Sequence, residues 1–235
     1  MTFPKIDHPV YDITIHSTKT KYKFRPMLGK DEKILLIAKE SKDYTDIFQA
    51  IRQIVNNCSV DKKFDVDKIE LTDLEWCFLK IKSNSVNPIS KITYLDKEDQ
   101  KNYTVDVDLD KVIIKENKDL QNVIKINNKV GLVMRRPPAI LYADKEFLKD
   151  SENVEENLLL KCIEKIFEGD KMFVIDETNS QELKEFVDEL PIPVLDKMKE
   201  YVSNAPTLYY KVEWTNSLGN KKEVELKSLE DFFIF

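Results

Sequence analysis

The chain opens on two β-rich segments, Val10-Tyr11-Asp12-Ile13-Thr14-Ile15 and Lys21-Tyr22-Lys23-Phe24-Arg25, joined by polar residues from His16 to Thr20. This pattern predicts a hairpin, ended by Pro26. The apolar spacing then becomes helical. Between Asp31 and Ser41 it places Ile34, Leu35, Ile37 and Ala38 on one face. Between Asp46 and Cys58 it does the same with Ile47, Ile51, Ile54, Val55 and Cys58. Thr72 followed by Glu75 has the spacing of a capping box and predicts a third helix carrying Leu74, Cys77, Phe78 and Ile81.

The middle of the chain reads as β. Ile89 to Leu95 and Tyr103 to Leu109 flank a polar turn. Val112 to Ile114, Val123 to Ile126 and Val130 to Met134 are three further short strands. Arg135-Arg136-Pro137-Pro138 then breaks the sheet. The last third turns helical again. Ser151 to Glu168 reads as one helix, stopped by Gly169 as a carboxyl-terminal cap. Thr178 and Gln181 would cap the next, which runs to Leu190. Val194 to Val202 gives another. A final hairpin, Leu208 to Trp214 and Glu223 to Leu226, turns around Asn216-Ser217-Leu218-Gly219-Asn220.

The fold class that follows is α+β, with short antiparallel hairpins and sheets beside amphipathic helices. The hairpin around Thr104-Val105-Asp106-Val107-Asp108-Leu109 echoes the one around Lys222-Glu223-Val224-Glu225-Leu226. That echo suggests two loosely repeated helix-plus-hairpin halves. Their expected boundary lies near residue 140: 1–140 would hold the first hairpin, the helices and the central β region, and 141–235 a helical region with the last hairpin.

Composition narrows the function. With 42 % hydrophobic and 34 % charged residues, there is ample material for a core. A net charge of −6, with Lys and Arg scattered among the acids, disfavours nucleic acid as a partner. No apolar run approaches the roughly 20 residues of a membrane span, and no secretory signal is recognisable. Cys58, Cys77 and Cys162 each stand among apolar neighbours, so buried thiols without a disulfide are expected, in a reducing compartment. The four glycines stand far apart, whereas a phosphate-cradling loop needs several together.

A few constellations invite a chemical reading. Asp106, Asp108 and Asp110 alternate along one strand and have the oxygen donors a hard cation takes. The alternative is a solvated strand face, with Val105, Val107 and Leu109 turned inward, and half-buried strands favour it. Asp61, Asp65 and Asp67 lack the central glycine and distal glutamate of a calcium loop. His16 with Ser17 and Asp12 could be drawn as a nucleophilic group, but no nucleophile turn or oxyanion donor accompanies it. Arg135 and Arg136 could grip a partner's carboxylate or cap the sheet edge. Phe232, Phe233 and Phe235 could be presented to a partner or pack on the last hairpin, and the general burial of large aromatics favours the second. These five residues are the partner-contact candidates, together with the exposed face of the first helices. No catalytic, cofactor-binding or metal-binding residue is assigned.

The opening Pro9-Val10-Tyr11-Asp12-Ile13-Thr14-Ile15, then Ser17-Thr18, Tyr22-Lys23-Phe24-Arg25-Pro26 and Lys30-Asp31-Glu32-Lys33-Ile34-Leu35-Leu36, resembles the baseplate hub assembly proteins, or baseplate hub subunits, of T-even-type contractile-tailed phages. The likeness continues through Phe78 to Ser85, Gly131-Leu132-Val133-Met134-Arg135, Ile166-Phe167-Glu168-Gly169-Asp170, Leu183 to Leu190 and Leu229-Glu230-Asp231-Phe232-Phe233. It therefore spans most of the chain. Departures include Lys82 where that family has Arg, His16 where it often has Pro, and Lys19 where it often has Gly. Many relatives carry cysteine pairs in one or both hairpin turns, as zinc ribbons do. Here the turns are Asp96-Lys97-Glu98-Asp99-Gln100 and Asn216-Ser217-Leu218-Gly219, without cysteine, so no metal role is carried over and the hairpins are expected to be held by packing alone. The resemblance implies a non-catalytic, cofactor-free protein that helps to build the central hub. Its partners would be hub proteins and other tail assembly factors in a hetero-oligomer, with no nucleic acid or membrane. It would act in the host cytoplasm as a chaperone-like factor, or persist in the virion as a hub subunit. A metal-dependent hydrolase using Asp106, Asp108 and Asp110 is the competing class.

Overall fold

The computed structural model describes residue 4 and residues 6–85, 87–149 and 154–233, with Glu177 described by its backbone. It is an α+β protein, as expected, built from short antiparallel sheets and amphipathic helices. In chain order the elements are β1 (Tyr11–Thr14), β2 (Lys21–Phe24), α1 (Gly29–Ser41), α2 (Tyr44–Cys58), α3 (Leu71–Ser85), β3 (Ile89–Asp96), β4 (Lys101–Asp108) and β5 (Ile113–Lys115). Then come β6 (Val123–Lys125), β7 (Val130–Met134), α4 (Lys145–Lys149), α5 (Val154–Lys161), β8 (Ile163–Glu168), β9 (Lys171–Val174), α6 (Ser180–Asp188) and α7 (Ile192–Ser203). The last are β10 (Thr207–Thr215), β11 (Lys221–Leu226) and α8 (Leu229–Phe232).

The chain forms two compact units, Met1–Lys115 with Thr207–Phe235, and Glu116–Pro206. The expected boundary near residue 140 falls inside the second unit. The reason is a long-range ladder: β10 pairs with β11 on one side and with β5 on the other, matching Thr207 to Lys115 and Tyr209 to Ile113. The last hairpin thus belongs with the first helices.

In the first unit, α2 buries Ile47, Ile51, Ile54, Val55 and Cys58 as its spacing predicts, and Asp43 caps it by accepting the Thr45 N–H at 2.8 Å. On α1 the buried stripe is Asp31, Leu35 and Ala38. Ile37 lies about 200° around the helix from Leu35 and is 70 % exposed, so it leaves the expected apolar face. Helix α3 is buried on nearly all sides through Leu74, Cys77, Phe78, Leu79 and Ile81. It begins at Leu71, so Thr72 and Glu75 sit inside it and do not form the expected capping box. The hairpins β1–β2, β3–β4 and β10–β11 form where the sequence placed them.

In the second unit the sheet runs β6-β7-β8-β9, all antiparallel. One face carries a core of Ile124, Leu132, Met134, Cys162 and Ile163 against Leu159, Leu183, Val187, Val194, Met198 and Tyr201 from α5, α6 and α7. Here the sequence reading needs correction. The stretch read as one helix from Ser151 to Glu168 is α5 followed by strand β8, and residues 151–153 lie outside the described residues. Gly169 is no helix cap. It occupies the two-residue turn Gly169-Asp170 of the β8–β9 hairpin at φ +58°. The following helix is introduced by Asp176, which accepts the Thr178 N–H, and not by Thr178 and Gln181.

Gly131 on β7 lies under the Phe167 ring, and a Cβ there would meet that ring and stand 2.8 Å from the Ile124 carbonyl oxygen. The carbonyl belongs to the paired strand and cannot yield. Gly131→Ala is therefore expected to destabilise the protein by about 1–3 kcal/mol, read from the urea-unfolding midpoint at unchanged slope.

Candidate functional site

The carboxylates singled out in the sequence do not converge. Asp106 faces solvent from β4, while Val107 and Leu109 are buried, as a half-buried strand requires. Asp108 accepts the Asp110 N–H and pairs with Lys111 at 3.1 Å. Asp110 accepts the Ser83 hydroxyl at 2.7 Å. Asp65 is paired with Lys68, and Asp67 with Arg52. Ser17 is turned away from a nucleophilic pairing with His16, because its hydroxyl donates to Asp73. Among the described residues no three His, Cys, Asp or Glu side chains group as metal ligands would.

Buried carboxylates hold backbone in place, remote from them in the case of Asp73 and Glu75 and local in the case of Asp31. Asp73, near the start of α3, accepts the N–H groups of His16 at 2.8 Å and Ser17 at 3.2 Å, pinning the β1–β2 turn. Asp31, fully buried, accepts the Leu28 N–H at 2.9 Å and a forked pair of bonds from Arg25 at 2.7 and 3.5 Å. Burial alone would raise its pKa. The Arg25 guanidinium, the Leu28 N–H and the Asn57 amide outweigh that and bring it below the usual carboxylate value. Glu75 accepts the Leu229 N–H at 3.4 Å at the start of α8. Burial, with Glu230 and Asp231 nearby, pushes its carboxyl up to about 7.

The five partner-contact candidates have structural partners or lie beyond description. Arg135 donates from Nε to the Lys161 carbonyl at 2.9 Å, at the carboxyl end of α5. Arg136 donates to the Tyr201 carbonyl near the end of α7, with its guanidinium 3.8 Å from the centre of the Tyr201 ring. Both cations sit where helix carbonyls lack partners and the dipole is negative. Of the two readings open for the carboxyl-terminal aromatics, Phe232 takes the core, at 1 % exposure. Phe233 is half-buried and meets Phe78 edge to face at 5.8 Å. Phe235 lies outside the described residues.

The family model described as T4 bacteriophage base plate protein matches residues 8–234. The chain belongs to that family. No curated protein and no solved structure matches it.

In this base plate protein the two cysteine-free hairpin turns meet, and they are held by more than packing. Trp214 of β10 stacks on Tyr94 of β3 with ring centres 5.4 Å apart. Glu98 accepts from the Asn216 amide at 2.9 Å and the Asn220 amide at 2.7 Å, and pairs with Lys222 at 2.6 Å. Asp99 accepts the Ser217 N–H at 3.0 Å and its hydroxyl at 2.8 Å. Sequence reasoning missed these acceptors because nothing local says which two turns will face each other. The three thiols are buried as expected, and desolvation pushes Cys58 up to about 12. Among the described residues, no helix is long and apolar enough to cross a membrane.

The pKa of Glu75 carries a pH signature. The folded state holds the extra proton between the ordinary value of 4.5 and about 7. Its contribution to stability is complete below that window and is lost as the pH rises through it. Glu75→Gln cannot titrate. From about pH 5 to about pH 8, wild type should lose on the order of 1–3 kcal/mol relative to Glu75→Gln, measured by urea unfolding at each pH.

Proposed function

We propose that this protein is a non-catalytic binding factor in the assembly of the baseplate's central hub, acting on hub proteins and other tail assembly factors in the host cytoplasm. The observation that carries this reading is the family match over residues 8–234. Two features of the molecule support it. Of the acids read as a possible cation site, Asp108 and Asp110 are engaged by Lys111 and Ser83, and the buried Asp73 and Glu75 hold the backbone of a turn and a helix start. In addition, α1 and the start of α2 present Leu36, Ile37 and Tyr44 to solvent, the exposed face nominated for partner contact.

The second reading, a permanent subunit of the hub, is favoured by the family's own description as a base plate protein. Proteomics of washed virions separates the two: absence from particles supports the assembly factor, and stoichiometric presence supports the subunit. Co-expression with the hub proteins of the same phage tests what both share. A complex should be recovered, and the double variant Leu36→Ser, Ile37→Ser should weaken it by about tenfold or more at unchanged melting temperature. Recovery of no hub protein would sink both readings.

A further inference from the structure

The second unit ends its sheet on a strand whose outer edge is largely apolar. Strand β9 is the outer member of the β6-β7-β8-β9 order. Ile175 donates its N–H to the Glu164 carbonyl at 3.2 Å, and Phe173 is matched to Ile166. Backbone direction alternates along an antiparallel strand, so Phe173 and Ile175 bond inward to β8 while Met172 and Val174 point their N–H and C=O outward. The Val174 carbonyl accepts from the Asn179 amide at 3.0 Å. The Met172 N–H and C=O and the Val174 N–H have no partner among the described residues. Met172 and Val174 are 58 % and 59 % exposed, with Phe173 between them also exposed. Natural edges are ordinarily protected by charge, proline or a bulge; β9 carries one charge, Lys171 at its start, and the run Met172-Phe173-Val174 that follows has none of these.

Beside this edge lies an apolar groove of about 330 Å³ between the sheet and α6. Phe173, Ile175, Ile166 and Phe186 line it, and Glu168 and Glu182 supply its carboxylates. Its volume is at the lower end of the roughly 300–1,000 Å³ typical of ligand pockets, room for a few side chains and not for a large cofactor. Neither Glu168 nor Glu182 makes an ion pair among the described residues, and Asp170 and Asp176 flank the strand. A second copy fits poorly. Antiparallel pairing about Phe173 sets Met172 opposite Val174, but it also sets Asp170 opposite Asp176 of the copy, and like charges face each other.

We propose that β9 and its groove receive an extended segment of a partner protein, which adds a strand to the sheet, places aliphatic side chains in the groove and brings Lys or Arg to Glu168 and Glu182. This rests on the reading of the chain as a protein-binding factor and names one of its contact surfaces.

The test uses the full chain and two labelled octapeptides. One alternates Lys or Arg with Val or Leu; the other carries Glu at each basic position. Fluorescence anisotropy should show the basic peptide binding and the acidic one at least about tenfold weaker. Val174→Pro removes an outward N–H without touching the β8 ladder and should weaken binding about tenfold or more, as should Glu182→Lys. Ile192→Ser, an exposed apolar site elsewhere in the unit, should bind like wild type. Amide exchange at Met172 and Val174 should slow when the basic peptide is added. Equal binding of both peptides, no binding of the basic one, unaltered binding by Glu182→Lys, or a dimer broken by Val174→Pro would each overturn the proposal. If the hub proteins are still recovered while peptide binding is absent, this surface is wrong and the wider reading stands. If peptide binding is present and no hub protein is recovered, the wider reading fails instead.

Discussion

A carboxylate that accepts a backbone N–H from a distant part of the chain is the interaction on which the first unit depends. Asp73 holds the turn after β1, Glu75 holds the start of α8, and Asp99 holds the turn after β10. Two of these acids are buried on α3, the most enclosed helix of the unit. Removing Asp73 or Glu75 would leave a backbone donor without its partner beside an enclosed helix, and such loss costs about 1–3 kcal/mol. Buried polar groups of this kind also select one arrangement, since no other pairing satisfies them. The chain can therefore leave the unit after Lys115, build a second one, and return at Thr207 to a prepared place.

The same arrangement bears on function. A cluster of acids can bind a cation or move a proton only if the groups converge and are free. Here Asp108 and Asp110 are taken up by Lys111 and Ser83, and Asp73 by the backbone of His16 and Ser17. Among the apolar side chains that reach the surface are Leu36 and Ile37 on α1 in the first unit, and Met172 to Val174 on β9 in the second. Surfaces of that kind suit association with other proteins.

Much of the first unit was legible because its local signals agree. The alternation in β1, β2, β3 and β4 and the helical spacing in α2 each have one reading, and packing follows it. The failures come where two readings compete. From Leu158 to Ile166 the apolar residues fit a helix, yet Ile163 to Glu168 also fit a strand, and pairing with β7 and β9 decides for the strand. The overlooked signal was Gly169-Asp170 between Ile166-Phe167 and Met172-Phe173-Val174, a two-residue turn between β-formers. Thr72 and Glu75 have capping-box spacing, but Glu75 is claimed by Leu229, which lies 154 positions away. The meeting of the two hairpin turns was equally out of reach, because it depends on β10 docking beside β5. Arg135 and Arg136 were ambiguous for the same reason: their helix carbonyls come from residues 161 and 201.

Amide hydrogen exchange at His16, Ser17 and Leu229, compared between wild type and the variants Asp73→Ala and Glu75→Gln, tests this account most directly. Slow exchange at all three in wild type is predicted. Asp73→Ala, which removes the acceptor, should speed His16 and Ser17, and Glu75→Gln, which keeps an acceptor oxygen, should leave Leu229 nearly as slow. Exchange in wild type at the rates of an unfolded chain, or indifference of His16 and Ser17 to Asp73→Ala, would contradict it.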